Sequence, residues 1–98
     1  VTDKRYSVYI LTNRYLTTLH VGVTGDLARR IYEHKTGDVD GLAKRYHVTR
    51  LVHVETFSDV QQAIDRQKQL KNWSRARTMD LIRSQNPDFD DLSDTIWG

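Results

Sequence analysis

Tyr6-Ser-Val-Tyr-Ile-Leu-Thr-Asn-Arg-Tyr-Leu-Thr-Thr-Leu-His-Val-Gly-Val-Thr24 is the stretch whose reading decides the fold. Residues 6–11 and 17–24 are rich in β-branched and aromatic side chains, and Thr12-Asn13-Arg14 breaks them apart. Such side chains suit a pleated, half-buried surface, so each run is a predicted strand. Two sequential strands with a short link favour an antiparallel hairpin. No Asn-Gly pair marks the connection, so its turn type stays open. Each strand carries one residue able to move a proton, Tyr9 and His20. The second strand passes Gly22 and ends at Thr24, a candidate helix cap, with Asp26 placed to suit the positive end of a helix. A helix over about residues 25–35 is expected, with Leu27, Ala28 and Ile31 as its apolar side and Gly37 ending it.

Beyond the helix, residues 36–47 read as a loop rich in Gly, Asp and basic residues, with one helical turn at 42–46. Residues 50–57 alternate poorly but are strongly β-prone, which predicts a strand covered on much of both faces. Asp59-Val-Gln-Gln62 has the shape of a capping box and opens a helix to about residue 73. Ser74 caps a second helix over 74–84, and Asn86-Pro87 ends it. The tail from Asp88 carries Phe89, Leu92, Ile96 and Trp97, which can dock on the body. The order β-β-α-β-α-α predicts one α+β domain over residues 1–98, a three-stranded antiparallel sheet flanked by helices.

Composition narrows the function classes. The chain has 98 residues and no cysteine, which removes disulfide scaffolds and thiolate metal sites and fits a reducing cytoplasm. No apolar run approaches the ~20 residues of a membrane span, so no membrane partner is expected. The net charge of +2 hides an asymmetry. All 15 Lys and Arg lie at or before Arg83, whereas four of the 13 acidic residues lie in the tail. Fifteen basic against nine acidic residues leave the body, residues 1–87, at +6. A basic body with an acidic tail points to a polyanionic partner such as nucleic acid.

Several residues suit phosphate chemistry. Arg30 and His34 stand at i and i+4 and share a helix face. A guanidinium fork fits a phosphate, and an imidazole exchanges protons near neutral pH. Gly22, between strand and helix, allows close backbone approach to a phosphate, or is an ordinary turn glycine. On the later helix, Val60, Ala63, Ile64 and Leu70 form the apolar stripe, and Gln67 falls on it. A polar group on such a stripe is either a satisfied core amide or a site residue. Lys68, Lys71, Arg75 and Arg77 surround Trp73, which stacks on a base or caps the core. His47 and His53 show no metal-ligand spacing, and there is no Gly-rich nucleotide loop and no Ser/His/Asp set.

Taken together these residues resemble the GIY-YIG endonuclease superfamily, and within it the small stand-alone bacterial YhbQ-like group. Val8-Tyr9-Ile10 stands at the first motif and His20-Val21-Gly22 at the second. The eleven-residue step from Tyr9 to His20 fits, as do Gly-x7-Arg at Arg30 and Arg-x3-His at His34. Thr24-Gly-Asp-Leu-Ala-Arg-Arg-Ile-Tyr-Glu-His-Lys35, Ala63-Ile-Asp-Arg-Gln-Lys-Gln-Leu-Lys71 and Asn86-Pro-Asp-Phe-Asp-Asp-Leu92 are similar to that group's signatures. The resemblance implies metal-dependent hydrolysis of DNA phosphodiesters, with Mg²⁺ or Mn²⁺, in a cytoplasmic protein of the DNA-repair kind. It implies Tyr9 as general base, Arg30 as phosphate clamp and His34 as hydrogen-bonding or proton-transfer partner. Candidate DNA contacts are Gly22, Lys35, Lys68, Lys71 and Arg75, and the strand is expected to be single or branched. Two positions depart from the pattern. His20 replaces the second-motif tyrosine, and Gln67 stands at the position of the metal-holding glutamate. A neutral amide lacks the charge that holds a hard cation, so impaired cleavage is expected. An inactivating Glu→Gln exchange and natural divergence toward a catalytically inactive nucleic-acid-binding module both account for Gln67, and the near-isosteric swap favours the first.

Overall fold

The computed structural model describes residues 5–36 and 48–97. Three strands, β1 (Tyr6–Thr12), β2 (Leu19–Thr24) and β3 (Arg50–Phe57), form an antiparallel sheet in the order β2-β1-β3. Among the described residues four helices accompany it: α1 (Leu27–Thr36), α2 (Val60–Lys71), α3 (Arg75–Gln85) and a short α4 (Asp94–Trp97). This is the expected α+β architecture. The expected end of α1 at Gly37, the loop through residue 47 with its turn at 42–46, and the side chains of Ile96 and Trp97 lie outside the described residues.

β1 is the central strand, and residues 8–12 are all buried. Successive side chains of a strand point to opposite faces, so β1 feeds two cores. Val8 and Ile10 pack with Val21, Val52, Ala63, Leu70, Ile82 and Phe89, beneath α2 and α3. Tyr9 and Leu11 pack with Ile31, Val48 and Leu51, beneath α1. A β-bulge lets β3 serve both cores: Ile10 pairs with His53 and Leu11 with Leu51, leaving Val52 as the extra residue. Burial of this bulged strand agrees with the expected cover on both faces.

The helix caps follow the sequence with one correction. Asp59 caps α2 and accepts from the Gln61 amide, and Ser74 caps α3 and accepts from the Arg77 amide. For α1 the cap is Asp26, not Thr24. Thr24 Oγ1 accepts from the Asp26 amide at 3.0 Å, a local turn that leaves the Asp26 carboxylate free to accept from the Arg29 amide at 3.2 Å. The helix therefore starts two residues later than expected.

The acidic tail is tied to the body by residues with little local signal. Asn86 donates to the Val52 carbonyl and accepts from the Asp90 amide, turning the chain after α3. Asp91 accepts from the Leu51 amide at 3.2 Å and from Lys35 Nζ at 2.8 Å, joining β3 to α1. Burial would raise the Asp91 carboxyl, but hydrogen bonds from Lys35, Ser93 and Leu51 outweigh it and hold the group below its ordinary range. On the opposite face, burial likewise opposes ionisation of Glu55. The paired Nε and Nη2 of Arg66, at 2.8 and 3.0 Å, and His53 at 2.8 Å reverse that and lower it.

Candidate functional site

The hairpin register builds the site. Tyr9 pairs with Gly22, and Leu11 with His20. Residues paired across a ladder share a face, so Tyr9 and His20 project on the side covered by α1. Gly22 is required there: a Cβ on it would collide with Cζ and Oη of Tyr9. The glycine's role is thus to seat the phenol, which is 2% exposed. That explains the residue without any backbone approach to a phosphate.

α1 adds the remaining side chains. Its inward stripe is Leu27, Ile31 and His34, at i, i+4 and i+7. Ile31 is fully buried and anchors the helix, which stabilises the docking by about 1.5–3 kcal/mol. The third stripe position is an imidazole. His34 is 6% exposed, deeper than its spacing from Arg30 suggests, and its Nδ1 is buried without a hydrogen-bond partner. The Tyr9, His20 and His34 rings form a triangle, with centroids 6.1 Å (Tyr9–His20), 6.4 Å (Tyr9–His34) and 5.5 Å (His20–His34) apart.

Electrostatics couple Arg30 to all three rings. Burial lowers the pKa of His20, and the charges of His34, Lys71 and Arg30 lower it further. Burial also lowers His34, reinforced by Arg30 and opposed by Glu33. Burial raises the Tyr9 phenol, with Arg30 pulling it down and Glu33 pushing it up. The resting site therefore holds two neutral imidazoles and a protonated phenol beside a fixed cation. A cavity of about 450 Å³, lined by Thr24, Gly25, Asp26, Arg29, Arg30 and Glu33, opens next to Arg30.

The other expected site residues are more scattered. Gln67 is half-buried on α2, between Ala63 and Leu70 on the inward stripe, and its side-chain amide bonds no protein group among the described residues. Lys71, one turn further, acts on His20 and so brings the end of α2 beside the cluster. Lys68 is exposed. Lys35 is engaged with Asp91, and Arg75 donates to the Leu16 and Thr17 carbonyls. Trp73 packs on the core, with the guanidinium groups of Arg77 and Arg66 over its ring at 3.9 and 5.1 Å. This occupies the surface expected to stack on a base. Sequence reasoning missed the burial of His34, although its place at i+7 from Leu27 was the available signal.

The donor set does not suit a hard divalent ion. Mg²⁺ and Mn²⁺ take oxygen ligands and favour carboxylates. The cluster offers two imidazoles and a phenol next to Arg30, and Gln67, on the α2 stripe with Ala63 and Leu70, carries no charge. Among the described residues no three His, Asp or Glu side chains gather to hold a metal.

This site sets a pH expectation for stability. His20 and His34 have folded pKa values below their ordinary 6.5, so the unfolded chain binds protons first. Their contribution is complete above that value and is lost as pH falls through the folded one. Glu55 and Asp91, also lowered, keep theirs until pH falls below their ordinary 4.5 and 3.8. Tm is expected to fall in two stages on acidification, and a His20→Asn/His34→Gln double variant to lack the first. A Tm constant between about pH 7 and 5 in the unmodified chain contradicts neutral buried imidazoles.

This chain is similar in sequence and fold to small proteins of known sequence or structure. A UPF0213 protein of Syntrophus aciditrophicus is 33% identical over 72 residues, covering 72% of this chain and 82% of the relative. A UPF0213 protein of Staphylococcus saprophyticus is 30% identical over 80 residues, covering 82% and 95%. The solution NMR structure of a UPF0213 protein from Bacillus halodurans superposes with a TM-score of 0.57, at 23% identity, over 90% of this chain and 93% of that one, and supports the fold. No helix among the described residues is long and apolar enough to cross a membrane. The GIY-YIG catalytic domain matches residues 5–80, a span that holds both hairpin strands, the Tyr9–His20–His34 cluster, Arg30 and Gln67, so the chain belongs to the GIY-YIG nuclease family.

Proposed function

We propose that this protein engages a DNA phosphodiester at the Tyr9–His20–Arg30–His34 cluster and is a GIY-YIG endonuclease impaired by Gln67. The observation that carries this reading is the ring triangle beside Arg30, together with a His34 Nδ1 that is buried without a hydrogen-bond partner. A phosphodiester oxygen or its attacking water supplies the partner that nitrogen lacks. Arg30 neutralises charge that builds on the phosphate, and its fixed donors act in a partly dry site where they are worth more than in water. Tyr9 accepts the proton of the attacking water. Its raised pKa means that the phenol must first give up its own proton, and neutral His20 and His34 are the nearby acceptors. Lys71 and Lys68 add charge for the strand.

Gln67 is the weak link, because residues in this site do not fit the divalent ion on which the family generally depends. Replacing Gln67 by glutamate is expected to raise cleavage of DNA at least about tenfold in the presence of Mg²⁺ or Mn²⁺, the scale on which metal-site residues act. The measurement is single-turnover cleavage of labelled single-stranded, duplex and branched DNA by both forms. If the Gln67→Glu form cuts none of them, the nuclease reading is lost. Salt-sensitive DNA binding without cleavage then favours the second reading, a binding module.

A further inference from the structure

The β1–β2 connection is built more firmly than a surface loop requires. Asn13 is buried, accepts from the Thr17 amide at 2.9 Å and donates to Thr17 Oγ1 at 2.6 Å. Thr12 Oγ1 donates to the Thr18 carbonyl at 2.8 Å, and the Leu16 amide to the Asn13 carbonyl at 3.1 Å. Leu16 has φ 58°, a region a leucine enters only at a cost. It is kept there because its side chain packs on the core and Arg75 reaches from α3 to its carbonyl. Local strain of this kind persists where surrounding structure over-determines it, and it clusters at functional segments.

What this rigid loop holds outward is Arg14 and Tyr15. Tyr15 is 71% exposed, more than any other large hydrophobic side chain among the described residues. The Arg14 guanidinium lies 5.3 Å from the Tyr15 ring centroid. Neither side chain has a packing role that explains the loop. Trp73, the other aromatic in the basic region, already has two arginines over its ring. A groove lined by Leu19, Lys71 and Arg75, among others, lies beside the arginine that holds this loop.

We propose that Arg14 and Tyr15 form a stacking platform for an unpaired base of single-stranded DNA, with Arg14 also facing the adjacent phosphate. The inference rests on the phosphodiester-directed reading above and deepens it by naming the substrate class. A base offers its face to a side chain only when it is unstacked, and stacking on an aromatic ring tolerates any base. The +6 body supplies the charge complementarity. Three strand steps of ~3.3 Å, about 10 Å in all, separate Tyr9 from Thr12, where the loop that carries the platform begins, so a single strand bound at the cluster has only a few nucleotides to cover to reach it.

The test is fluorescence anisotropy of the full chain with a labelled oligothymidylate and with a matched duplex, at low salt. Tyr15→Ala is expected to weaken oligothymidylate binding about 10- to 100-fold, the loss of one stacked base, and to leave duplex binding within about twofold. Tyr15→Trp keeps single-strand affinity, which separates stacking from any effect on the loop. An unchanged single-strand affinity in Tyr15→Ala overturns the platform, as does an equal loss on both probes, or an unmodified chain that binds the oligothymidylate no better than the duplex. The nuclease reading is judged separately. Cleavage of duplex DNA by the Gln67→Glu form, with no Tyr15 effect on binding, sinks the platform alone.

Discussion

Arg30→Ala, made in the Gln67→Glu background, is expected to slow phosphodiester cleavage by about 10²- to 10³-fold, the cost of removing one preorganised donor from a developing oxyanion. The residue is placed for this by its neighbour: Ile31 is buried under the sheet and fixes the helix, so Arg30 is held at the rim. Its charge lowers the pKa of Tyr9, His20 and His34 together. Removal therefore has a signature beyond the rate. Without the cation all three groups hold their protons more tightly, and the whole pH–rate profile moves to higher pH. Arg30→Lys restores the charge and hence the profile, but only part of the rate, because an ammonium lacks the fork that grips two phosphate oxygens. A residual rate within about threefold of the parent, with an unshifted profile, excludes Arg30 from the transition state.

The parts of this molecule that were legible from sequence are those coded locally. Strand propensity and spacing placed the hairpin, and the eleven-residue step from Tyr9 to His20 becomes the register that puts both on one face. Ser74 and Asp59 were readable as caps because capping uses side chains within three residues. Gln67 was visible as a polar interruption of an apolar stripe. What escaped depends on long-range contact. Lys35 reads as a free surface charge until Asp91, 56 residues away, takes it. Arg75 reads as part of a basic patch and instead clamps the hairpin loop. The Val52 bulge and the docking by Asn86 have no periodic signature, since each depends on which backbone groups the fold leaves unpaired. The depth of His34 lies between these cases: the stripe announced it, but a histidine is as common on a solvated face.

Gly22 carries the second large effect. Gly22→Ala is expected to lower the activity of the Gln67→Glu form by about 10²-fold, because misplacing a reacting group by 1 Å is enough for such a loss. The added methyl meets Cζ and Oη of Tyr9, so glycine and phenol cannot both keep their places. These atoms are the far end of the ring, which can turn aside, so stability should fall only by the 1–3 kcal/mol of ordinary overpacking. Function has less tolerance: the ring that turns aside leaves the His20–His34 pair, 6.1 and 6.4 Å from it. A double-mutant cycle isolates the contact. With Tyr9→Ala in place there is no ring to displace, and Gly22→Ala should then cost neither stability nor further rate. If Gly22→Ala instead destabilises the Tyr9→Ala protein as much as it does the parent, the glycine serves the strand backbone and not the phenol.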